Sequence, residues 1–471
     1  MEIGILSLLP PVLAIVLALA FKNVFIALFM GVFSGQLILA GWNPVSGINN
    51  TLYAFIKTFE SNSNVIVLYS IMFIGGITYA IEQSGGIGGF IDYMTQKRAI
   101  IKSKKGANMF TWILGVLVFT SGTLSALVTG AVSRPINDAM KVPHEKSSFI
   151  VHTTTTPVSV LIPLSGWGAF MIGLIEANGV ENGVAVLWQS IPLNFYCLIA
   201  VLAIPILTLI GKDFGLMKKA EERAEKTGLL DDPETAKTVT PANVSLEDQL
   251  KNKTTPMNLI APLGTLILTI LVVLTITGEG NLTRGAGMQA LVWGVFVALV
   301  VAGVMYISQK IFTFDEYVST VLKGGGNVLS MVIVLIFAFA MGATVRGLDT
   351  GPYLANALSG ILTPALLPAI IFIISCLISF STGTSTGTMT IMMALAMPMA
   401  LTMDVNIPLT AAAVFGGSIF GDHSSPISDT TIMASSTTGA DVMDHIRSQL
   451  QYTLFFAAAT IALYVVFGFI M

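Results

Sequence analysis

Charged residues are scarce in this chain: Asp, Glu, Lys and Arg together make up 10% of its 471 residues. Soluble domains carry about 25% charged residues. Hydrophobic residues account for 54% of the sequence, and the mean hydropathy is +0.82. A water-soluble core cannot bury so much apolar surface, so the composition excludes a soluble globular protein and indicates one that is surrounded by lipid.

Motifs for covalent or metal chemistry are also lacking. The chain has 2 cysteines, Cys197 and Cys376, and both lie in apolar runs, where cysteine behaves as a small buried hydrophobe. The sequence contains no HExxH motif and no metal-binding spacing of Cys and His. We therefore expect no enzymatic activity, no cofactor and no nucleic-acid partner.

What the sequence does contain is a series of apolar runs, several of which reach or approach the ~20 residues that a helix needs to cross a bilayer. The runs cover residues 7–21, 24–41, 64–82, 187–211, 257–276, 287–308, 327–347 and 450–471. Backbone that faces lipid must satisfy its own hydrogen bonds, so each run is predicted to be helical. The predicted fold class is an all-α polytopic membrane protein.

A charged segment divides the chain into two halves. Residues 212–256 mix both signs of charge and are predicted to be a soluble linker between a first membrane repeat, 1–211, and a second, 257–471. Short similar segments recur in the same order in both halves, and internal repeats are common in transporters. They are MGVFSGQLILAG and WGVFVALVVAG; Gly76, Thr78 and Gly85 against Gly342, Thr344 and Gly351; FTSGT and FSTGT; and Pro157 and Ser159 against Pro426 and Ser428.

Two polar motifs interrupt each half. FTSGT (119–123) and FSTGT (380–384) lie between apolar arms that are too short to span singly, which predicts two re-entrant hairpins. TTTTP and DHSSP interrupt longer apolar stretches, 147–175 and 407–440, and predict two helices that unwind in mid-membrane at these motifs. Each half then has five crossings, and an odd number predicts that the repeats are inverted.

The positive charges give an independent prediction of topology. With the linker in the cytoplasm, all but three of the 23 Lys and Arg residues fall on the cytoplasmic side, and the exceptions are Lys57, Arg284 and Arg346. Cytoplasmic loops are enriched in Lys and Arg. The charges predict that both termini are outside, that the first hairpin enters from the cytoplasm and that the second enters from the exterior.

Two carboxylates lie where carboxylates are costly. Asp422 and Asp429 flank the predicted break of the second half, and an ionised Asp at mid-membrane costs roughly 2.5–3.5 kcal/mol. The surrounding stretch, GDHSSPISDTT, supplies carboxylate, hydroxyl and freed carbonyl oxygens, which hard cations such as Na⁺ favour. The alternative interpretation is that both carboxylates cap the two half-helices, which suits Asp429 in front of TTIMASS.

Hydroxyl side chains cluster at both hairpin tips and at both breaks. A lone Ser or Thr in a helix bonds to its own backbone, but repeated clusters predict contacts with a cation or a substrate. Thr382 and Thr384 are assigned to the cation site. The residues assigned to a substrate site are Thr120, Ser121, Gly122, Thr123, Thr153, Thr154, Thr155, Thr156, Ser385, Thr386 and His423.

The two halves differ in the residues at their predicted breaks. Its register aligns Asp422 with Thr153 and Asp429 with Val160, so the first half has hydroxyls but no carboxylate at its break. A cation or proton site is therefore expected on the second half. The first half is left to recognise an uncharged or carboxylate-bearing substrate.

The 4 histidines receive different interpretations. His423, beside Asp422, is a candidate for proton relay, since its pKa is ordinarily near neutrality, or for an orienting hydrogen bond. His152 lies at the predicted break of the first half, where a structural role is favoured. His144 and His445 are predicted to be solvated residues of cytoplasmic turns.

The segment GGSIFGDHSSPISDTTIMASSTTGADVMDHIRSQLQY resembles the signature of the NhaC-type sodium/proton antiporter family, most specifically in 415–452. FSTGTSTGT, RPINDAMKVPHEK and PVSVLIPLSGWGAF are also similar to that family. The resemblance implies a bacterial inner-membrane secondary transporter with paired hairpins and broken helices. By the same resemblance the cation ligands are Asp422, Asp429, Ser424, Ser425 and Ser428, although many members have Cys where this chain has Ser424.

The function predicted from these features is sodium/proton antiport by alternating access, with Na⁺ and H⁺ competing for Asp422 or Asp429. The alternative is sodium- or proton-coupled transport of an amino acid or organic acid, with the substrate held between the hairpin tips. The expected partners are Na⁺, H⁺, the lipid bilayer and, under the alternative, a small organic solute. A homodimer is a further expectation.

Overall fold

Helices make up the regular structure of the part of the chain that is described. The computed structural model describes residues 3–21, 23–95, 101, 103–119, 122–163, 165–233, 254–280, 285–358 and 363–471, and no strand occurs within these ranges. The first helices are α1 (Leu9–Phe21), α2 (Val24–Leu39), α3 (Pro44–Lys57), α4 (Asn62–Gln83), α5 (Gly86–Thr95), α6 (Lys104–Leu117), α7 (Gly122–Ala139), α8 (His144–Leu161), α9 (Gly166–Ala177), α10 (Gly183–Ser190) and α11 (Phe195–Ile210). Those that follow are α12 (Gly215–Thr227), α13 (Met257–Thr277), α14 (Gly287–Ser308), α15 (Phe314–Asn327), α16 (Leu329–Gly347), α17 (Thr350–Leu358), α18 (Leu367–Thr382), α19 (Ser385–Thr402), α20 (Ile407–Ser424), α21 (Asp429–Thr438) and α22 (Val442–Ile470).

Polar side chains begin many of these helices. Each accepts a hydrogen bond from an N–H group of the first turn, which would otherwise lack a partner. They are Asn23, Asn43, Ser61, Ser103, Ser165, Asn182, Asn194, Thr313, Thr384, Asn406, Ser428 and Asp441. Such caps let a helix end inside the protein without unsatisfied backbone groups, which matters most where lipid excludes water.

Several helices have the length and composition of membrane spans. In the described part of the chain 7 helices are long and apolar enough to cross a membrane, and up to 9 spans result if each of 2 bent helix pairs counts as one. α2 is also apolar but has only 16 residues. These helices confirm the prediction of an all-helical, polytopic membrane protein.

The helices follow the same order in both halves. α4 and α16 are each followed by a short helix, then by a pair of helices joined at the FTSGT or FSTGT motif. We call these pairs the first hairpin (α6 and α7) and the second hairpin (α18 and α19). A helix broken in two follows each hairpin, and we call these the first broken span (α8 and α9) and the second broken span (α20 and α21). This common order supports the repeat, whose inversion stays a prediction.

The second hairpin turns at Gly383. α18 ends at Thr382, Gly383 has a left-handed φ of 67°, and Thr384 caps α19. A Cβ at position 383 would lie 2.8 Å from the side chain of Ile427, so glycine suits both the turn and the packing. The prediction that both arms are too short to span is wrong for the first arm. Together with the turn before it, this arm covers the 19 residues Pro364–Thr382, which are apolar enough to cross.

The first broken span corrects a second prediction. α8 runs without interruption through the TTTTP motif, and the break follows Leu161, where α8 and α9 meet at an angle of 52°. The cause is Pro163, because a residue before proline is pushed into extended geometry, and Ile162 has φ −95° and ψ 105°. Pro157 lies inside α8 and costs it one backbone hydrogen bond without ending the helix.

The position of this break also corrects the register of the repeat. Pro163 in the first broken span corresponds to Pro426 in the second, and each is preceded by an extended residue. Two residues later, Ser165 and Ser428 cap α9 and α21. The alignment of Pro157 with Pro426 is therefore wrong by six residues.

In the corrected register, Asp422 falls opposite Ser159 and Asp429 opposite Gly166, where Thr153 and Val160 were predicted. The first half still has no carboxylate at its break. The two halves therefore still differ in chemistry at their breaks, as predicted, although the residues that correspond to Asp422 and Asp429 are different ones.

The start of the predicted linker packs onto the membrane helices. Lys146 Nζ in α8 lies 2.6 Å from Asp213 Oδ2 and 2.7 Å from Glu221 Oε1, and Arg223 Nη2 lies 2.9 Å from Glu145 Oε1. These ion pairs hold α12 against the first turn of α8. Residues 234–253 of the linker lie outside the described ranges.

Candidate functional site

Asp422 is a buried carboxylate on the last turn of α20, with 3% of its surface exposed. Its Oδ1 accepts hydrogen bonds from the hydroxyls of Ser428 and, at 3.3 Å, Thr430. Its Oδ2 accepts a bond of 3.2 Å from Ser385 Oγ. All of these partners are hydroxyls, and no Lys or Arg forms a salt bridge with Asp422 in the described ranges.

Asp429 occupies a different environment on the other side of the same break. It is the first residue of α21 and is exposed. Its Oδ1 accepts a bond of 2.9 Å from the backbone N–H of Thr430, as expected for a carboxylate in the first turn of a helix. Its Oδ2 accepts a bond of 3.4 Å from Thr123 Oγ1. Asp429 thus contributes to the start of α21, as the capping alternative proposed, and also contacts the first hairpin.

Both hairpins therefore reach the second broken span. Ser385 at the start of α19 meets Asp422, and Thr123 at the start of α7 meets Asp429. Gly122 is close to the second broken span as well, since a Cβ built at Gly122 would lie 3.7 Å from Thr430 Cγ2 and 3.6 Å from Ser159 Oγ. The structure brings residues from both halves to one site. Thr120 and Ser121, predicted for the same tip, lie outside the described ranges.

Some of the predicted cation ligands face elsewhere. Ser424 Oγ donates to Thr453 Oγ1 at 3.0 Å, towards α22. Ser425 Oγ accepts a weak bond of 3.5 Å from the backbone N–H of Ile427. Of the three serines near Asp422 in the sequence, only Ser428 has a described hydrogen bond with its carboxylate. Because α20 ends at Ser424, the side chains of the three serines point to different sides of the chain. Their spacing in the sequence does not show which of them faces Asp422.

The remaining hydroxyls of the second tip serve the turn itself. Thr382 Oγ1 donates to the backbone carbonyl of Ile378 at 2.8 Å. Thr384 Oγ1 accepts from the N–H of Gly387 at 3.4 Å and lies 3.2 Å from Thr386 Oγ1. A small cavity of about 10 Å³ adjoins Thr382 and Thr384, which is space for about one water molecule.

The four threonines of the TTTTP motif in α8 point in different directions and have different hydrogen-bond partners. Thr154 and Thr155 donate to the carbonyls one turn earlier, at 2.7 and 2.9 Å, so they satisfy the backbone in the way expected of a lone threonine. Thr153 Oγ1 lies 3.0 Å from His423 Nε2. Thr156 Oγ1 is buried without a described hydrogen-bond partner, and Thr156 Cα would lie 4.0 Å from a Cβ built at Gly122.

His423 is buried between other elements. Its Nε2 contacts Thr153 as above, and its Nδ1 lies 2.9 Å from the hydroxyl of Tyr196 on α11. Both ring nitrogens are engaged, and neither has a described bond to Asp422. This geometry fits the orienting alternative better than a direct relay to that carboxylate.

Two other histidines correct the prediction that they are solvated. His144 is 6% exposed and lies between Asp138 and Asp231, at 3.0 and 2.7 Å. His445 is fully buried, and its Nε2 lies 3.1 Å from His152 Nδ1. Helix packing, which no local pattern encodes, removes both from water.

Two residues that contact the site, Thr430 and Tyr196, are not identified by the sequence pattern. Thr430 Oγ1 lies within hydrogen-bond distance of Asp422, Ser428 and His152, at 3.3, 2.9 and 3.0 Å. The available signal was its place directly after Asp429, on the first turn of a short helix. Tyr196 carried no signal, since it is one aromatic residue in an apolar run.

Chemically, the site is a set of hard oxygen atoms around a buried carboxylate. The described residues contain no group of three or more His, Cys, Asp or Glu that could hold a transition metal. Hydroxyl and carboxylate oxygens suit a proton or a hard cation, and the carbonyl end of α20 adds partial negative charge. Hairpins and broken helices around such a site define the class of the protein as a polytopic membrane transporter.

The family follows from comparison with known proteins. Residues 167–469 match the Na⁺/H⁺ antiporter family, so the chain belongs to that family of secondary transporters. An uncharacterized protein of Haemophilus influenzae is 29% identical over 98% of this chain and 91% of its own length.

Shorter matches carry more specific names. An uncharacterized Na⁺/H⁺ antiporter of Haemophilus influenzae is 48% identical over 67 residues, and the malate-2H⁺/Na⁺-lactate antiporter of Bacillus subtilis is 40% identical over 65 residues. Each match covers 14% of this chain and 14% of the relative. The structure of MtrF from Neisseria gonorrhoeae aligns with a TM-score of 0.56 at 16% identity, over 89% of this chain and 84% of that one, and is similar in fold alone.

Proposed function

We propose that this chain exchanges Na⁺ for H⁺ across the membrane and that the two cations compete for Asp422. The observation that carries the proposal is a buried carboxylate whose described side-chain partners are all hydroxyls. A buried charge needs a compensating partner. With no Lys or Arg paired to it in the described ranges, the carboxylate is left to be neutralised by a bound Na⁺ or by a proton.

The geometry of the site supports competition between the two ions. Na⁺ at Asp422 would take oxygen ligands from the carboxylate and from Ser428 and Ser385, which can turn their hydroxyl hydrogens away. Protonation of the carboxyl group removes the negative charge that holds the cation. Binding of one ion therefore excludes the other, as antiport requires.

Asp429 has a second role in the proposal. It is exposed beside the same break and contacts Thr123 of the first hairpin, so it attracts Na⁺ to the site and joins its ligands when the hairpin closes. Thr382 and Thr384 line the turn on the other side, where the small cavity has room for an ion-sized group.

Alternating access requires that one part of the protein moves against another. The common order of helices supports a repeat, and the distribution of Lys and Arg supports its inversion, with both termini outside and the linker on the cytoplasmic side. The proposed location is a bacterial inner membrane, as the family resemblance implies. The breaks at Pro163 and Pro426 leave irregular backbone at corresponding places, as in transporters whose half-helices surround the bound ion. A homodimer stays a prediction.

The second candidate is sodium- or proton-coupled transport of an organic acid or amino acid. One observation favours it: Thr156, next to Gly122, has a buried hydroxyl without a described hydrogen-bond partner. Burying such a hydroxyl costs free energy unless a ligand or a water molecule bonds to it. The malate-2H⁺/Na⁺-lactate relative is consistent with this alternative.

A proteoliposome assay separates the two candidates. The full chain is reconstituted, an inward Na⁺ gradient is imposed, and proton movement is followed with a pH-sensitive dye in the absence of organic solutes. Antiport predicts proton efflux from these vesicles. Proton movement that begins only after malate, lactate or an amino acid is added would overturn antiport in favour of solute transport.

Variants assign the roles of the carboxylates. Asp422→Asn is expected to reduce Na⁺-driven proton movement to that of protein-free vesicles, because an amide cannot exchange the proton. Asp429→Asn should raise the KM for Na⁺ while exchange continues. The matched control is Asp404→Asn, in an exposed turn whose left-handed φ of 54° asparagine also adopts. Full activity of Asp422→Asn would remove Asp422 from the mechanism.

A further inference from the structure

A line of hydrogen bonds leads from Asp422 through the interior of the protein. Thr430 Oγ1 lies 3.3 Å from the carboxylate and 3.0 Å from Nε2 of His152 on α8. On the other side of the same ring, His152 Nδ1 lies 3.1 Å from Nε2 of His445. Both imidazoles are fully buried. Three steps thus connect the carboxylate with the first turn of α22.

Gln449 sets the direction of this line. Its side-chain nitrogen contacts the backbone carbonyl of His423, which only accepts, so this atom is the amide NH₂ group. The same NH₂ lies 3.2 Å from His152 Nδ1. An NH₂ group only donates, so Nδ1 of neutral His152 carries a lone pair and its hydrogen is on Nε2.

The remaining hydrogen positions follow from that tautomer. His152 Nε2–H donates to Thr430 Oγ1, and the Thr430 hydroxyl donates to Asp422. On the far side, His445 donates its Nε2–H to His152 Nδ1. His445 Nδ1 is then an acceptor, and it is buried without a hydrogen-bond partner in the described ranges. Every bond in the line points towards Asp422, and His445 Nδ1 is its outermost acceptor.

We propose that His445 and His152 conduct the exchanged proton to Asp422 through the hydroxyl of Thr430, with Gln449 as a positioning residue. The proposal rests on the proton exchange proposed above and adds its route. His445 lies on the first turn of α22, at the end that the distribution of Lys and Arg places in the cytoplasm.

The transfer balances without any further reactant. In a conformation that opens this end of α22 to water, a proton binds His445 Nδ1, and the hydrogen on His445 Nε2 passes to His152 Nδ1. The hydrogen on His152 Nε2 passes to Thr430 Oγ1, whose own hydrogen passes to Asp422 Oδ1. The carboxylate becomes a carboxylic acid, and the charge that held Na⁺ is removed.

The groups around the rings determine how the route is reset. His152 faces His423 edge-on, with ring centroids 4.6 Å apart, and its centroid lies 5.3 Å from that of His445. After one transfer both conducting rings carry their hydrogen on Nδ1, where His152 faces the NH₂ of Gln449. Two donors then oppose each other, so the rings must reorient before the next proton. This requirement favours one proton per transport cycle over a continuous leak.

The experiment compares two fluxes of the same reconstituted protein. His445→Ala and the milder His445→Gln are expected to reduce Na⁺-driven proton movement by roughly tenfold or more, because neither side chain relays a proton. Exchange of radioactive Na⁺ for Na⁺ at constant pH needs no proton and should stay within about twofold of the wild type. Added imidazole should restore proton movement in His445→Ala, where it can occupy the vacated space.

His144→Gln is the matched control, since it removes another buried histidine that lies outside the route. Unchanged proton movement in both His445 variants, or an equal loss of Na⁺/Na⁺ exchange without rescue by imidazole, would overturn the relay. Wild-type protein that moves no protons under a Na⁺ gradient would instead refute the exchange itself. The two failures are therefore distinguishable.

Discussion

Ser385 donates a hydrogen bond of 3.2 Å to Oδ2 of Asp422, and this bond joins the tip of the second hairpin to the second broken span. The two residues are 37 positions apart in the chain. Their contact puts the proposed cation site where two separately inserted elements meet, so a small movement of the hairpin changes the ligands available to the ion.

The first prediction concerns this bond. Ser385→Ala removes one of the proposed oxygen ligands of Na⁺, and a loss of about 1.4 kcal/mol in binding free energy is a tenfold change in affinity, so the KM for Na⁺ should rise by roughly tenfold or more. Proteoliposome flux over a range of Na⁺ concentrations measures it. Ser381→Ala is the control, because Ser381 is exposed and bonds only to the carbonyl of Leu377 among the described contacts. An unchanged KM in Ser385→Ala would exclude this serine as a ligand.

The second prediction concerns the close packing of α18 and α20. A Cβ at Gly421 would lie 2.3 Å from the backbone nitrogen of Phe380 and 2.3 Å from Cβ of Ser379. Gly421→Ala should therefore destabilise the protein by about 2 kcal/mol, as overpacking does elsewhere. Thermal unfolding in detergent measures the change.

Gly264 in α13 provides a matched comparison for that variant. No atom lies within 4 Å of a Cβ built at Gly264, so Gly264→Ala should be neutral or stabilise its helix by about 0.5–1 kcal/mol. Equal effects of the two substitutions would show that helix propensity, and not the contact of α18 with α20, controls the result.

The third prediction concerns the docking of α12. The side chain of Lys146 is 10% exposed and pairs with Asp213 and Glu221, which are 8% and 12% exposed. Lys146→Met removes the only ion-pair partner of Asp213 in the described ranges and leaves Glu221 paired with Lys104 alone, so it should destabilise the protein by roughly 3 kcal/mol. Lys218→Ala, whose partner Glu222 is 3.8 Å away at an exposed site, should cost about 0.5 kcal/mol or less. A loss in Lys146→Met no larger than in this control would mean that the pairs do not hold α12.

The fourth prediction concerns orientation in the membrane. The native Cys197 and Cys376 are buried, so single introduced cysteines can be labelled against a low background. Lys226→Cys in α12 should react with an impermeant thiol reagent only after the cells are opened, and Lys57→Cys should react in intact cells. Labelling of both from the same side would contradict the predicted topology.

Local sequence determined the environment and the elements. The scarcity of charge and the length of the apolar runs require lipid, and lipid requires helices, because no water is present to satisfy an open backbone. The FSTGT motif, which contains Gly383, and the DHSSP motif, which contains Pro426, predict a turn and a break that the structure has. The backbone limits of glycine and proline act within a few residues, so local sequence is enough to predict both.

The first break shows where local rules stop. Pro157 and Pro163 are both prolines in one apolar stretch, yet the helix continues through the first and ends before the second. Residues His144 to Val160 of α8 are all buried, and α6, α7, α11, α21 and α22 pack around them. Such packing can hold a helix straight through one missing hydrogen bond. The sequence does not specify which proline has that support.

The site divides in the same way. The sequence by itself determined that Asp422 and Asp429 flank a polar break in an apolar stretch, because their spacing to Pro426 and the adjoining apolar runs is local. Only the tertiary structure decided that Asp422 is buried with Ser385 while Asp429 is exposed, and that His152 and His445 line up behind Thr430. Those contacts join residues that are far apart in the chain, and the packing of helices in three dimensions selects them.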